Sequence, residues 1–222
     1  PDRLVNMVRA CIEVSNVPVS VKVRLGTGSG PNTAHSIAQR LEQEGVLRIA
    51  DHGRTLRQKY AGEADWEEIG EMVRSLSIPV VANGDVKDAD SAFRCLKVTG
   101  AAGLMIGRAA IGNPDVFHRI KEGLGWSKSP PPWGDLTSNI PEKNRDAAIK
   151  LWCWKRYCEL ADETYSGRRN AHLKRHAISF TKGLEGASDM RVRLHRTQQP
   201  DELIQAVSNF LEESIKAEKA IM

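Results

Sequence analysis

The sequence IPVVANGD, at Ile78–Asp85, is followed further along by a second stretch of the same kind, GLMIGRAAIGNP, at Gly103–Pro114. Each begins as a short apolar run, which predicts a buried strand, and each run ends in glycine. Neighbouring strands that end in glycine leave backbone N–H groups uncovered by a Cβ atom, so that a phosphate group can approach them. The pair predicts a phosphate-binding site, although two ordinary strand-to-helix turns would use the same glycines.

Around these stretches the chain alternates between strands and helices. One amphipathic helix is predicted at 2–14, before the first strand, and another begins near Asn113-Pro114, after the last. Strands are predicted at 19–25, 46–51, 78–82 and 103–106, and the helices between them at 32–44, 65–76 and 88–98. In the last of these helices, Ala92, Phe93, Cys95 and Leu96 are predicted to face inward. Four strand-helix units are typical of a parallel sheet with helical crossovers. Because phosphate sites of (β/α)8 barrels commonly follow strands seven and eight, we predict an α/β fold, the C-terminal half of a TIM barrel with four βα units.

Length and composition favour a cytoplasmic protein that is trimmed at its front. The 222 residues are fewer than the roughly 250 of a whole barrel. Hydrophobic residues make up 41% and charged residues 27%, and no run approaches the roughly 18 apolar residues of a membrane span. The N-terminal Pro-Asp-Arg-Leu is not a signal peptide. The four cysteines are scattered without CxxC spacing, so neither a zinc site nor a disulfide framework is predicted.

One predicted strand carries two cations on a single face. In VSVKVRLG, at Val19–Gly26, valine and leucine alternate with Ser20, Lys22 and Arg24. If helices cover the apolar face, Lys22 and Arg24 lie inside the barrel near the mouth where active sites form. A surface strand with a charged outer face is the alternative.

Strand patterns end after residue 124, and the remainder predicts a second, helical domain. Gly125–Asn139 contains three consecutive prolines and is predicted to be a linker. Asn139 and Glu142 have capping-box spacing at the start of the next helix, where Trp154 lies on the apolar stripe and is predicted to be core. The predicted organisation is a half TIM barrel at 1–124, a linker at 125–139 and a small all-α bundle at 140–222.

Positive charge is concentrated in the predicted helical domain. The net charge is +4, and Lys143–Arg196 contains thirteen Lys and Arg against six Asp and Glu. A local surplus of this kind predicts a polyanionic partner, although a solvated helical surface gives the same count.

Several motifs together resemble the tRNA dihydrouridine synthase family. They are VKVRLG at 21–26, DHGRT at 51–55, YAGEADW at 60–66, NGD at 83–85 and GRAAIGNP at 107–114. Their order and spacing match the family, and HLKRHAISFTKGLEGASDMRVRL at 172–194 is similar to its C-terminal RNA-binding bundle. The resemblance therefore covers nearly the whole chain.

The resemblance implies an enzyme that uses FMN and NADPH to reduce uridine to 5,6-dihydrouridine in tRNA. By matching positions, Lys22 and His52 would contact the flavin and its ribityl or phosphate end. The phosphate would be held, mostly through backbone groups, by Asn83, Gly84, Asp85, Gly107 and Arg108. The residues expected to contact tRNA are Arg54, Arg168, Arg169, Lys174 and Arg175.

The chain also departs from the family's pattern. The residue before His52 is usually apolar in the family but is Asp51 here, in a strand that also carries Arg48. The family's N-terminal half, with four strands and the cysteine that protonates uracil, would lie before residue 1. No catalytic residue is assigned, and the outer strands are expected to be open edges that either self-associate or bind that missing half.

Two other interpretations fit the same residues. One is a non-catalytic tRNA-binding or scaffold protein derived from this family. The other is an FMN barrel oxidoreductase that acts on a small molecule, for which a basic helical domain has little use.

Overall fold

The structure, a computed structural model, describes residues 2–127, 129–165 and 169–216, without the side chains of 169–171. Within them the chain forms four strands and nine α-helices. The strands are β1 (Ser20–Arg24), β2 (Arg48–His52), β3 (Val80–Asn83) and β4 (Gly103–Met105). The helices are α1 (Asp2–Val14), α2 (Ala34–Gln43), α3 (Trp66–Ser75), α4 (Ala89–Thr99), α5 (Val116–Gly123), α6 (Glu142–Thr164), α7 (Arg169–Thr181), α8 (Ala187–Arg196) and α9 (Pro200–Lys216).

The chain divides into two compact units. The first unit comprises Pro1–Gly107 and Ile120–Leu124, and the second comprises Arg108–Arg119 and Gly125–Met222. All four strands belong to the first unit, where they form one parallel sheet in the order β1-β2-β3-β4. The predicted α/β fold, with its alternation of strand and helix around a parallel sheet, is confirmed.

The register of the sheet separates a polar face from an apolar face. Arg24 pairs with His52 and His52 with Asn83, while Lys22 lies one pleat earlier on β1. These four side chains therefore share one face, here called the polar face. The opposite, apolar face carries Val21 and Val23 of β1, Ile49 and Asp51 of β2, Val80 and Ala82 of β3, and Leu104 of β4.

The helices of the first unit bury their apolar stripes. Fully buried positions include Ala38 and Leu41 of α2, Ile69 and Met72 of α3, and Ala92 and Cys95 of α4. Asp65 caps α3 by accepting the backbone N–H of Glu68, and Gly100 ends α4 in the left-handed conformation. The prediction that Phe93 faces inward is wrong. Phe93 is 59% exposed, because α4 turns Ala92 and Cys95 towards the core instead.

The second unit has a core of its own around Trp154. This side chain is fully buried, as predicted, and lies edge-on to Phe180 at 5.3 Å between ring centroids. The core combines residues of all four C-terminal helices, among them Leu173, Leu194, Leu203 and Leu211. The predicted capping box at Asn139 is wrong. The cap position of α6 is Pro141, which provides no side-chain hydrogen bond.

Among the described residues, none of the helices combines the length and the hydropathy that crossing a membrane requires.

Candidate functional site

The carboxyl ends of the parallel strands bring the polar face to one edge of the sheet. Lys22 is exposed there and makes no hydrogen bond or ion pair with any other described residue. Although the side chain as a whole is exposed, its ammonium is partly desolvated, and this, followed by the charge of Arg24, holds the pKa of Lys22 below its ordinary value. A cation without a protein partner, beside a second cation, is suited to an anionic ligand.

Arg24 connects the polar face to the loop that follows β2. Its guanidinium donates to the backbone oxygens of Thr55 at 3.0 Å and Lys59 at 2.9 Å. The same group lies 5.7 Å from the centre of the Tyr60 ring. Lys59 has a φ of 53°, in the left-handed region that non-glycine residues rarely adopt. The hydrogen bond from Arg24 to its carbonyl therefore stabilises the loop at this residue.

Asn83, at the end of β3, is hydrogen-bonded to the ends of both neighbouring strands. Its side-chain amide donates to the backbone oxygen of Met105 at 2.7 Å, across from β3 to β4. Its own backbone oxygen accepts the N–H of Gly53 at 3.2 Å, just beyond the end of β2. Asn83 therefore fixes three neighbouring strand ends at the same level.

The turn after β3 is closely packed against His52. Gly84 has a φ of 124°, and a Cβ atom there would lie 2.6 Å from the Cβ of Ala64 and 3.1 Å from Cδ2 of His52. Its carbonyl accepts the indole N–H of Trp66 at 3.1 Å. Asp85, with a φ of 57°, accepts the backbone N–H of Ala64 at 2.7 Å through its carboxylate. Gly84 is thus required both by its backbone angle and by this contact.

The structure gives Arg54 a different environment from the one predicted. Arg54 was expected to contact RNA, but its side chain is 2% exposed. The guanidinium donates to the backbone oxygens of Ala61 at 3.2 Å and Gly62 at 2.6 Å, and to the carboxylate of Asp85 at 2.6 Å. It also lies 3.4 Å from Nε2 of His52. Because these groups surround the guanidinium, it does not face solvent.

His52 is held as a neutral ring. Burial, followed by the charges of Arg24, Lys22 and Arg54, lowers its pKa to about 4. At neutral pH the ring can therefore offer one N–H donor and one nitrogen acceptor.

Asp51, the departure from the family pattern, lies on the apolar face. It is fully buried, and neither carboxylate oxygen has a hydrogen-bond partner of good geometry among the residues that the structure describes. Burial raises its pKa to about 7, against the smaller opposing effects of His35, Lys22 and the His52 backbone N–H. Asp51 therefore lies on the opposite face of the sheet from Lys22, Arg24 and His52.

The remaining predicted residues are placed as follows. Gly107 is exposed at the end of the first unit, and a Cβ atom there would meet nothing within 4 Å. Arg108 begins a short 3-10 helix in the second unit. Arg175 is exposed on α7, whereas the ammonium of Lys174 donates to the backbone oxygens of His195 at 2.9 Å and Thr197 at 3.0 Å. Arg168 and the side chain of Arg169 lie outside the described residues.

Two of the four cysteines are buried thiols that ionise less readily than an exposed one. Cys95 and Cys153 are buried, and burial raises the pKa of each thiol to about 12. Cys11 is exposed and Cys158 is half-buried.

Two features of the site were not predicted from the sequence: the burial of Arg54 and the contact of Trp66 with the Gly84 turn. The motif YAGEADW contains Trp66, but only the folded structure brings its indole to the Gly84 carbonyl. A parallel sheet whose carboxyl edge combines two cations, a neutral histidine and a glycine turn defines the class: an α/β protein with a polar, cationic edge at the ends of its strands, an arrangement suited to an anionic ligand.

Comparison with known proteins gives the family. The chain belongs to the dihydrouridine synthase family, whose model matches residues 1–219. A "Probable tRNA-dihydrouridine synthase" of Rhodobacter capsulatus is 39% identical over 153 residues, which cover 68% of this chain and 47% of that protein. A "Probable tRNA-dihydrouridine synthase 1" of Synechocystis is 31% identical over 96% of this chain and 56% of that protein. The "tRNA-dihydrouridine synthase B" of Proteus vulgaris is 28% identical over 97% of this chain and 64% of that protein.

The chain spans about half the length of the curated relatives that it matches.

Proposed function

We propose that this chain serves the FMN-dependent reduction of uridine to 5,6-dihydrouridine in tRNA, with NADPH as reductant. Membership of the dihydrouridine synthase family and the names of the relatives support the reaction. Because the chain matches only about half of each relative, the activity, the substrate and the cofactors of a whole enzyme all belong to this proposal.

We also propose a separate role for each part of the chain. Residues 1–124 would be the C-terminal half of a (β/α)8 barrel that carries an FMN phosphate site. Residues 125–139 would be a linker, and 140–222 a helical bundle that binds tRNA. The four parallel strands and the separate core around Trp154 support this assignment.

The residues of the polar face fit the anionic part of FMN. The observation that carries the proposal is the Lys22 ammonium, which has no hydrogen-bond or ion-pair partner in the described structure and stands beside neutral His52. Asn83, Gly84 and Gly107 would offer the phosphate backbone N–H groups. Asp85 would contribute only its N–H, because its carboxylate is bound to Arg54 and Ala64. Bound FMN would supply the hydride that reduces the uracil ring.

A pair of matched ligands tests the FMN site. We expect FMN to shift the NMR signals of the Gly84 and Gly107 amides and of the His52 ring in the full chain. Riboflavin has the same ring system without the phosphate, so it should shift them much less at the same concentration. Equal shifts with both ligands, or none with either, would contradict a phosphate site at this edge.

The proposed RNA surface lies on the second unit. The exposed side of α8 carries Arg191, Arg193 and Arg196, and the neighbouring α7 carries exposed Arg175. Lys174, expected to contact tRNA, donates to the carbonyl of His195 in the last turn of α8 and to that of Thr197, the residue after the helix, and so supports this surface. We leave Arg54 out of the RNA-binding set because it is buried.

Salt dependence tests this surface. Arg191→Gln with Arg193→Gln should weaken tRNA binding and reduce its salt dependence, since phosphate contacts release counterions. The matched control is Arg74→Gln with Lys97→Gln, which removes two exposed cations from the first unit. Wild-type binding that is equal at about 50 and 200 mM salt would contradict phosphate contacts.

We also propose that the two edge strands, β1 and β4, mediate association of the chain. In the described structure β1 and β4 each pair on one side only, and the exposed Met105 lies on β4. Unpaired strand edges favour association, so we propose that the chain self-associates through them. Sedimentation equilibrium at increasing concentration should show species larger than a monomer. A monomer at every concentration would refute edge pairing.

A further inference from the structure

Arg54 is the centre of a buried network at the end of β2. Its acceptors are the carbonyls of Ala61 and Gly62, the carboxylate of Asp85 and Nε2 of His52. The first three hold the guanidinium from the loop and from the turn after β3. Because the side chain is almost fully buried, its position relative to His52 is fixed by these contacts.

The hydrogen bond between Arg54 and His52 can have only one direction, with Arg54 as the donor. A guanidinium carries five N–H donors and no acceptor, and it stays protonated in proteins. At 3.4 Å, the Nη1 group of Arg54 can therefore only donate to Nε2 of His52. A neutral imidazole whose Nε2 accepts must carry its single proton on Nδ1.

The surroundings of the ring agree with this arrangement. The cations near His52 and its burial favour the neutral form. Gly84, which has no Cβ, allows the Cδ2–Nε2 edge of the ring to lie against the turn after β3. The carboxylate of Asp85 anchors the guanidinium at 2.6 Å, so the donor cannot turn away from the ring without breaking an ion pair.

We infer that Arg54 is a positioning residue, which fixes His52 as the Nδ1–H tautomer and so makes the ring a hydrogen-bond donor through Nδ1. The inference rests on the proposed function in one respect, that His52 contacts the flavin. An Nδ1–H donor selects a ligand atom that accepts, such as a carbonyl, a hydroxyl oxygen or a ring nitrogen with a lone pair. Arg54 would therefore determine the ligand's orientation without touching it.

The wild-type chain tests the inference directly. Long-range proton–nitrogen NMR of the 15N-histidine-labelled full chain, without FMN, reports which ring nitrogen carries the proton. The His52 signals are assigned by their loss in His52→Gln. We expect a protonated Nδ1 and an unprotonated Nε2 at neutral pH. A proton on Nε2 in the wild type would overturn the inference without any variant of Arg54.

A conservative variant separates positioning from charge. Arg54→Lys keeps the positive charge but has a single ammonium in place of a guanidinium fork that serves four acceptors. We expect a mixture of Nδ1–H and Nε2–H signals for His52 in this variant. The matched control is Arg57→Lys in the same loop, exposed and outside the network, which should retain the wild-type tautomer. A folded Arg54→Lys chain with Nδ1–H alone would show that Arg54 does not set the tautomer.

The inference and the proposed function can fail separately. If the tautomer is as expected but FMN leaves the His52 ring signals unchanged, the flavin role of His52 is wrong while the Arg54 network stands. If FMN shifts the ring but Nε2 is protonated, the proposed function stands and the positioning role of Arg54 is lost.

Discussion

Asp51 and His52 are neighbours in β2, but they lie on opposite faces of the sheet and have different surroundings. Burial drives both towards the neutral form, since it raises the pKa of Asp51 to about 7 and lowers that of His52 to about 4. Nε2 of His52 accepts from Arg54 and cations lie beside the ring, whereas neither oxygen of Asp51 has a hydrogen-bond partner of good geometry in the described structure. Burial alone therefore does not distinguish the two residues; the polar groups around each side chain do.

The two residues also make opposite contributions to stability as pH changes. In the unfolded chain Asp51 ionises near 3.8, so between about 4 and 7 the folded state binds more protons and stability falls as pH rises. Unfolded His52 titrates near 6.5 and folded His52 near 4, so over that window the unfolded state binds more protons and stability rises with pH.

The largest effect is expected for Asp51→Asn. The variant removes a charge that the folded state buries without a hydrogen bond, and a pKa difference of about three units corresponds to about 4 kcal/mol. The gain in stability should appear at about pH 8 and be nearly absent at about pH 4. Urea unfolding, with hydrogen exchange at the Ile49 and Ala50 amides of β2, measures it.

Asp90→Asn is the control for Asp51→Asn, because Asp90 is an exposed carboxylate at the start of α4. It should change stability by less than about 0.5 kcal/mol at either pH. A gain from Asp51→Asn that is the same at both pH values would mean that folded Asp51 titrates like an exposed carboxylate.

Gly84→Ala should have the next largest effect. Its Cβ would press on Ala64 and on His52, so both overpacking and the positive φ should destabilise the first unit, by about 2 to 4 kcal/mol together. Gly45→Ala is the matched control, since Gly45 has a φ of 94° but nothing within 4 Å of its added Cβ. Chemical denaturation gives the loss in unfolding free energy for each variant. The difference between the two losses isolates the contacts of the added methyl group with Ala64 and His52. Equal losses would show that the turn yields to the added methyl group.

The residues of the polar face could be placed together from the sequence. Parallel strands end at one edge, so the alternation in VKVR and the position of His52 after an apolar run were enough to place Lys22, Arg24, His52 and Asn83 together. The contact between Arg54 and Asp85 was not predictable, because the two are 31 residues apart and meet only when the turn after β3 adopts a positive φ at a non-glycine residue. An arginine in a polar loop motif is usually exposed, and nothing in the motif showed that several carbonyls would surround this one.

Arg24→Met should have a moderate effect that is confined to the loop after β2. It removes two hydrogen bonds to the carbonyls of Thr55 and Lys59 and the contact with the Tyr60 ring, which together contribute about 1 to 2 kcal/mol at a partly exposed site. Hydrogen exchange of loop amides should accelerate, while that of α2 and α3 amides should not. Arg57→Met, an exposed arginine of the same loop, is the control. Faster exchange throughout the first unit would mean that Arg24 supports the whole sheet.

Lys22→Met should change stability least, although it lies at the centre of the proposed site. Its ammonium has no hydrogen-bond or ion-pair partner in the described structure, and burial and Arg24 disfavour its charge, so its loss should alter stability by less than about 0.5 kcal/mol. A ligand that binds only the folded state raises its stability, so millimolar phosphate should raise the wild-type melting temperature and leave that of Lys22→Met nearly unchanged. Lys97→Met removes an exposed cation from α4 and should respond to phosphate like the wild type. If Lys22→Met also kept the full response, the anion would be held elsewhere. If the variant lost several kcal/mol without phosphate, Lys22 would stabilise the fold. The side chains of the polar face would then serve stability, as those of the apolar face do.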